Sequence, residues 1–230
     1  GSHFAMIGGT NGEKPVRAFA GVDGVKTVMS RELDLPNSVV LSAGGWVQNR
    51  VVLTGGTDDA AHLAGVSKGT SIFDPIEREN STVKGPDFPG KPFAVAASAV
   101  CGGELFVFGG MNYDESTQAP INSKEAFAFS VPKNAWRPLK PLPIPSRGLS
   151  AVPLDEGHIY LAGGFTDAFT RDALIYNVKK DSYRPATSLP YAAMVGLAVH
   201  DGFVYCIGGE DKMKSRTDQF YRIPIASLFQ

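Results

Sequence analysis

Five times along the chain an apolar run closes on two adjacent glycines. The runs are FAMIGG at Gly9, RVVLTGG at Gly56, ELFVFGG at Gly110, HIYLAGG at Gly164 and FVYCIGG at Gly209. The second glycines are spaced 47, 54, 54 and 45 residues apart. A near-fixed period of this size means one supersecondary unit, repeated and stacked so that neighbours share a core. The runs are rich in Val, Ile, Leu and aromatics, so each reads as a strand. Before four of them lie another short apolar segment and a turn: GGWVQN, CGGE, LDEG and HDG, with the Gly and Asp that hairpins demand.

After each glycine pair comes a loop of variable length, then an aromatic strand: AFAGVDG, TSIFDPI, EAFAFSVPKN, ALIYNVKKD and QFYRIPI. In two repeats a second aromatic follows seven residues on, Phe129 to Trp136 and Tyr176 to Tyr183. Pro-rich segments such as KPLPIPSRG and TSLPYAAM end the period. Each period is therefore a four-stranded antiparallel meander, with strands a, b, c and d in order and the glycine pair ending b. No sustained helical periodicity competes, and Gly or Pro interrupts every long segment. A residue without Cβ allows close backbone approach and positive φ, so the glycines read as architecture. The four aromatics read as core.

This order and spacing resemble the kelch repeat over essentially the whole chain. The resemblance implies an all-β, kelch-type β-propeller of about five four-stranded blades. After a tag remnant at 1–3, one domain is expected over 4–230, with blades near 4–38, 39–92, 93–148, 149–195 and 196–230. The first blade lacks strand a and the last lacks strand d, giving about 18 strands. A closed five-bladed ring and a piece of a larger propeller both fit, since propellers run to about 4–8 blades. Incomplete blades leave strand edges, which invite pairing with another copy.

Composition narrows the functional classes. The formal net charge is −1, and no Lys/Arg run marks a nucleic-acid footprint. No apolar stretch approaches the ~20 residues of a membrane helix. Two cysteines, Cys101 and Cys206, lie in or beside apolar runs and read as buried free thiols. Without a Cys/His cluster no metal is expected, and no cofactor. GxSxG is absent. A copper site like that of galactose oxidase, itself a kelch propeller, would need histidines that these loops do not supply: only His62 lies in a b–c loop.

In a kelch propeller the b–c and d–a loops share one face, around the channel mouth. Counted from the second glycine, Arg17, Arg171 and Arg216 fall at +8, +7 and +7, nearly one position. Arg147 lies in a d–a loop, with His62 and Asn112 in further b–c loops. Arginines gathered at one mouth suit a carboxylate or polyhydroxylated ligand. Local pairing, for instance with Asp172 or Asp218, is the competing reading. The substrate-binding candidates are thus Arg17, His62, Asn112, Arg147 and Arg171.

The stretch GGEDKMKSRTD (208–218) resembles the GE…RTD segment of bacterial sialic acid mutarotases, the N-acetylneuraminate epimerases, a six-bladed kelch family. That resemblance implies Glu210 and Arg216 as the catalytic pair, with Glu210 as acid/base and Arg216 as carboxylate anchor. It implies an isomerase acting on a sialic-acid-type sugar acid, and a periplasmic or secreted location. The alternative is a non-catalytic kelch module that binds protein or glycan, as part of a larger protein or as an assembly-prone fragment.

Overall fold

The computed structural model describes residues 3–11, 14–23, 26–32, 40–59, 63–74 and 82–229. They form two compact units, Gly1–Ala94 with Asn112–Pro120, and Val95–Met111 with Ile121–Gln230. Among the described residues no helix is long and apolar enough to cross a membrane.

The first unit holds two sheets. β1 (His3–Ile7), β2 (Ala18–Asp23) and β3 (Lys26–Glu32) form a three-stranded sheet. β4 (Ala43–Val47), β5 (Arg50–Thr54), β6 (Thr70–Phe73) and β7 (Val83–Lys84) form a four-stranded one. In the second sheet the a–b turn is shorter than GGWVQN suggests. Gly44, Gly45 and Trp46 are strand residues paired with Leu53, Val52 and Val51, and Gln48 turns the chain at φ 56°.

The second unit begins with β8 (Ala97–Cys101) and β9 (Glu104–Phe108). A hairpin of β10 (Met111–Asp114) and β11 (Ala119–Asn122) follows, where the sequence reads only as a loop; its tip groups with the first unit. β12 (Ala126–Ser130) and β13 (Ala135–Pro138) then complete the sheet β13-β12-β9-β8. β14 (Ser150–Pro153), β15 (His158–Ala162), β16 (Ala173–Asn177) and β17 (Ser182–Pro185) form the next. The last is three-stranded, from β18 (Met194–His200), β19 (Phe203–Glu210) and β20 (Phe220–Pro224), and a 3₁₀ turn, Ile225–Phe229, follows. Apart from the β10–β11 hairpin, every sheet is an antiparallel meander in the expected a-b-c-d order. Among the described residues the first lacks an a strand and the last a d strand, as the repeat pattern indicates.

The glycine pair takes the same left-handed backbone conformation in all five sheets. Both members have positive φ, for example 71° and 96° at Gly163 and Gly164. In the fourth blade other backbone closes in, and a Cβ on Gly164 would sit 2.8 Å from the Arg147 carbonyl oxygen; the same Cβ on Gly9 would meet nothing within 4 Å.

In the second unit the inner strands β8, β14 and β18 run side by side, with β14 next to both others. Strands β14, β15 and β16 have neighbours on both faces, so their alternate residues feed different cores. From β15, Ile159 and Leu161 join Phe106, Phe108 and Tyr176 on one side. Tyr160 and Ala162 join Ile175, Val204 and Cys206 on the other. The aromatic pairs are cross-strand partners, Phe129 with Trp136 and Tyr176 with Tyr183, each with ring centroids 5.0 Å apart. Phe129 and Tyr176 are fully buried, whereas Trp136 and Tyr183, on outer strands, are half-buried. Both cysteines are buried and free.

Candidate functional site

The backbone bonds of the glycine pairs set a common register for loops of unequal length. In each blade the carbonyl of the second glycine accepts a hydrogen bond from a residue that closes the b–c loop. These residues are Val16, Ser67, Ser123, Thr170 and Thr217, bonded to Gly9, Gly56, Gly110, Gly164 and Gly209. The first glycine donates to the residue two positions past each closing residue: Ala18, Gly69, Glu125, Asp172 and Gln219. Two independent bonds per blade thus align the five loops.

This register corrects the alignment of arginines made by counting. Arg17 and Arg171 directly follow their closing residues, and Lys68, Lys124 and Asp218 occupy that place elsewhere. Arg216 precedes Thr217, so it aligns instead with Pro15, Val66, Asn122 and Phe169. Linear counting failed because the loops carry different numbers of residues before they close. The repeated position is a cationic one, Arg or Lys in four blades, with all four side chains exposed.

Beyond each glycine pair the a, b and c chains continue for one more row. In the second blade it is Val40–Thr57–Val66, in the fourth Arg147–Phe165–Phe169. In the fifth, Met194 pairs with Glu210, and Glu210 faces Arg216. In the third blade Met111 and Asn122 hold the b and c places. Ala94 follows Phe93 as Arg147 follows Ser146 and Met194 follows Ala193, each preceding residue accepting from a second glycine, so Ala94 is the third blade's a-side equivalent. The row is therefore uncharged by default. Among the described residues, ionisable ones enter it at Arg147, Glu210 and Arg216, and a primary amide at Asn122.

Glu210 ends β19 with its side chain 27% exposed. One carboxylate oxygen accepts the Lys214 backbone N–H at 2.8 Å, and the other lies 3.4 Å from Arg216 Nη1. Arg216 is 72% exposed and also donates to the Ser215 carbonyl at 2.7 Å. Its partner is Glu210, not the neighbouring Asp218. A pair this open adds little to stability, ~0–1 kcal/mol, so its position is of more interest than its strength. Beside it, the buried Asp211 Oδ1 has no hydrogen-bond partner. No sequence pattern singles out this second carboxylate.

Arg147 sits in a different environment. Its guanidinium lies 4.4 Å above the Phe165 ring, and Nη1 donates to Asn122 Oδ1 at 2.7 Å. The Asn122 amide in turn donates to the carbonyls of Thr166 at 2.8 Å and Phe165 at 3.2 Å, which fixes its oxygen toward the arginine. Burial holds the Arg147 pKa below the usual arginine value. Among the described residues no carboxylate lies within ion-pair distance of it. Asn122 has no special mark in the sequence. Its register with Arg216 is the one signal that could have singled it out.

The remaining candidates divide between the two units. Asn112 donates its amide to the Pro92 carbonyl at 2.7 Å, a structural bond in the first unit. Arg17 is exposed in that unit, and His62 lies outside the described residues. Arg171 is exposed on the second unit and its backbone carbonyl accepts from Leu189. A cavity of about 280 Å³ includes Ser146, Thr166, Thr170 and Asp172, neighbours in sequence of the Arg147 row. Among the described residues no group of three or more His, Cys, Asp or Glu could hold a metal ion.

Fold and loop register together define kelch-type β-propeller blades, and the Kelch motif family matches residues 94–143. The chain is similar to Kelch-like protein 35 of Mus musculus, 28% identical over 179 residues, covering 76% of this chain and 28% of that protein. It is similar to the N-acetylneuraminate epimerase of Salmonella arizonae, 27% identical, covering 59% of this chain and 45% of the relative. The N-acetylneuraminate epimerase of Yersinia pestis is also 27% identical, over 206 residues, covering 71% and 53%. This chain thus spans about half the length of the epimerases and less of the first relative. The solved structure of YjhT shares the fold at a TM-score of 0.69 and 18% identity, covering 86% of this chain and 65% of that one.

Proposed function

We propose that the loop end of these blades binds a sialic-acid-type sugar acid and accelerates its mutarotation. The observation that carries this reading is the Glu210–Arg216 pair, in a row where the other described blades carry no carboxylate. The GE…RTD spacing and the names of the epimerase relatives support the choice of substrate.

Mutarotation opens a hemiketal ring and recloses it on the other face. A base takes the proton from the anomeric hydroxyl, the ring C–O bond breaks, and an acid protonates the ring oxygen. Reclosure reverses these transfers. One carboxylate within reach of both oxygens can serve both steps. Glu210 suits this role: it is partly exposed, with one oxygen held by the Lys214 N–H and the other facing Arg216. Arg216 balances the carboxylate charge and keeps its geometry.

Exchange NMR of N-acetylneuraminate anomers tests the reading. Acceleration over buffer is expected with the wild-type chain and should disappear in Glu210→Gln while the fold persists. Wild-type protein at high concentration that leaves the exchange rate at its buffer value would refute catalysis. The binding-module reading would then stand, to be tested by glycan array and pulldown.

A further inference from the structure

We propose that Arg147, not Arg216, anchors the carboxylate of the acidic ligand. The inference deepens the sugar-acid reading and rests on it only for the choice of probe.

Three observations lead there. First, the position has no architectural need of charge, since the fold places Val40, Ala94 and Met194 at the same point of the row in three other blades. Second, the guanidinium is preorganised: Phe165 supports one face, and Asn122, itself locked by two carbonyls, holds one edge. Third, among the described residues it lacks a counter-ion. A half-buried guanidinium without a carboxylate is costly unless something pairs with it. Arginine has five N–H donors, and Asn122 uses one. The others suit bidentate recognition of a planar carboxylate. Arg216 contrasts on each count, being largely exposed and already paired with Glu210.

Asn122 is the positioning residue. Its amide oxygen offers the guanidinium a hydrogen bond without neutralising it. A carboxylate at the same place would supply an internal counter-ion and compete with the ligand.

The test compares N-acetylneuraminate with its methyl ester, by calorimetry or ligand-observed NMR. Wild-type protein should prefer the acid by more than about tenfold. Arg147→Met, which copies the fifth blade's own residue, should bind acid and ester alike. Asn122→Asp keeps the arginine, gives up the amide's donations to the Phe165 and Thr166 carbonyls, and sets a carboxylate beside the guanidinium, so it should abolish the preference in the same way. This second variant answers the question even if Arg147→Met fails to fold. Arg216→Gln should retain the preference for the acid. A preference that is absent in wild type, survives in Asn122→Asp and Arg147→Met, or is lost in Arg216→Gln alone would overturn the proposal. Failure of the mutarotase reading is distinguishable: no exchange acceleration, with an acid preference that depends on Arg147, refutes catalysis and leaves the anchor standing.

Discussion

Gly164→Ala is the most direct probe of how the loop end is built. Gly164 has φ 96°, is buried, and carries one junction bond at each backbone group: its N–H donates to Ala193 and its carbonyl accepts from Thr170. A Cβ there would lie 2.8 Å from the Arg147 carbonyl oxygen and 2.9 Å from the Leu149 nitrogen. Both are backbone atoms and cannot rotate aside. Forcing an L-residue into this conformation costs about 1–3 kcal/mol, and overpacking adds about 1–3 more. Gly202 is the matched control in the same unit. It has φ 77° but nothing within 4 Å of where an added methyl would sit, so Gly202→Ala should show the conformational cost alone. The entropic gain of Gly→Ala in the unfolded chain applies to both and cancels in the difference. Urea unfolding should therefore rank Gly164→Ala below Gly202→Ala by about 1–3 kcal/mol, with unchanged m. Equal losses would refute the close-approach argument and leave only positive φ to explain the glycine pair.

Tyr176 is fully buried and donates its hydroxyl to Asp181 Oδ1 at 2.7 Å, an oxygen that also accepts from the Lys140 N–H. Thermal unfolding should show Tyr176→Ala losing about 3–5 kcal/mol as the core opens. Tyr176→Phe should lose only about 1–2 kcal/mol, because Asp181 keeps its other donor. Burial, with help from the Asp155 and Glu156 charges, pushes the Cys101 thiol from 9.0 up to about 11. The folded state then holds its proton where the unfolded chain releases it. This contribution to stability is full below about pH 9 and falls as pH rises toward 11, and urea midpoints for Cys101→Ala should fall less steeply over that window.

The strands were legible because their signal is local. A glycine pair, a turn and a cross-strand aromatic pair each act over a few residues, so Phe129–Trp136 and Tyr176–Tyr183 could be paired from spacing alone. The ambiguity at GGWVQN had a physical source. Glycines mark turns, but Gly44 and Gly45 sit in a ladder, and a Cβ on Gly44 would press on Val52 and Leu53 of the partner strand. The third b–c loop hid a hairpin because Gln118, with φ 50°, takes a turn conformation its residue type does not announce.

The site was legible only in part. Glu210 and Arg216 are six residues apart in one loop, and they meet. Arg147 and Asn122 come from different blades, 25 residues apart, and no local pattern joins them. The repeat and the order of strands within it are written in residue type and short-range spacing, because apolar runs, turn residues and glycine pairs act over a few positions. Which loop residues are equivalent emerges from the folded chain. That equivalence is set by hydrogen bonds to the second glycine's carbonyl across loops of unequal length. It moved Arg216 out of line with Arg17 and Arg171, and placed a guanidinium without a carboxylate partner at Arg147, where three other blades carry an apolar side chain.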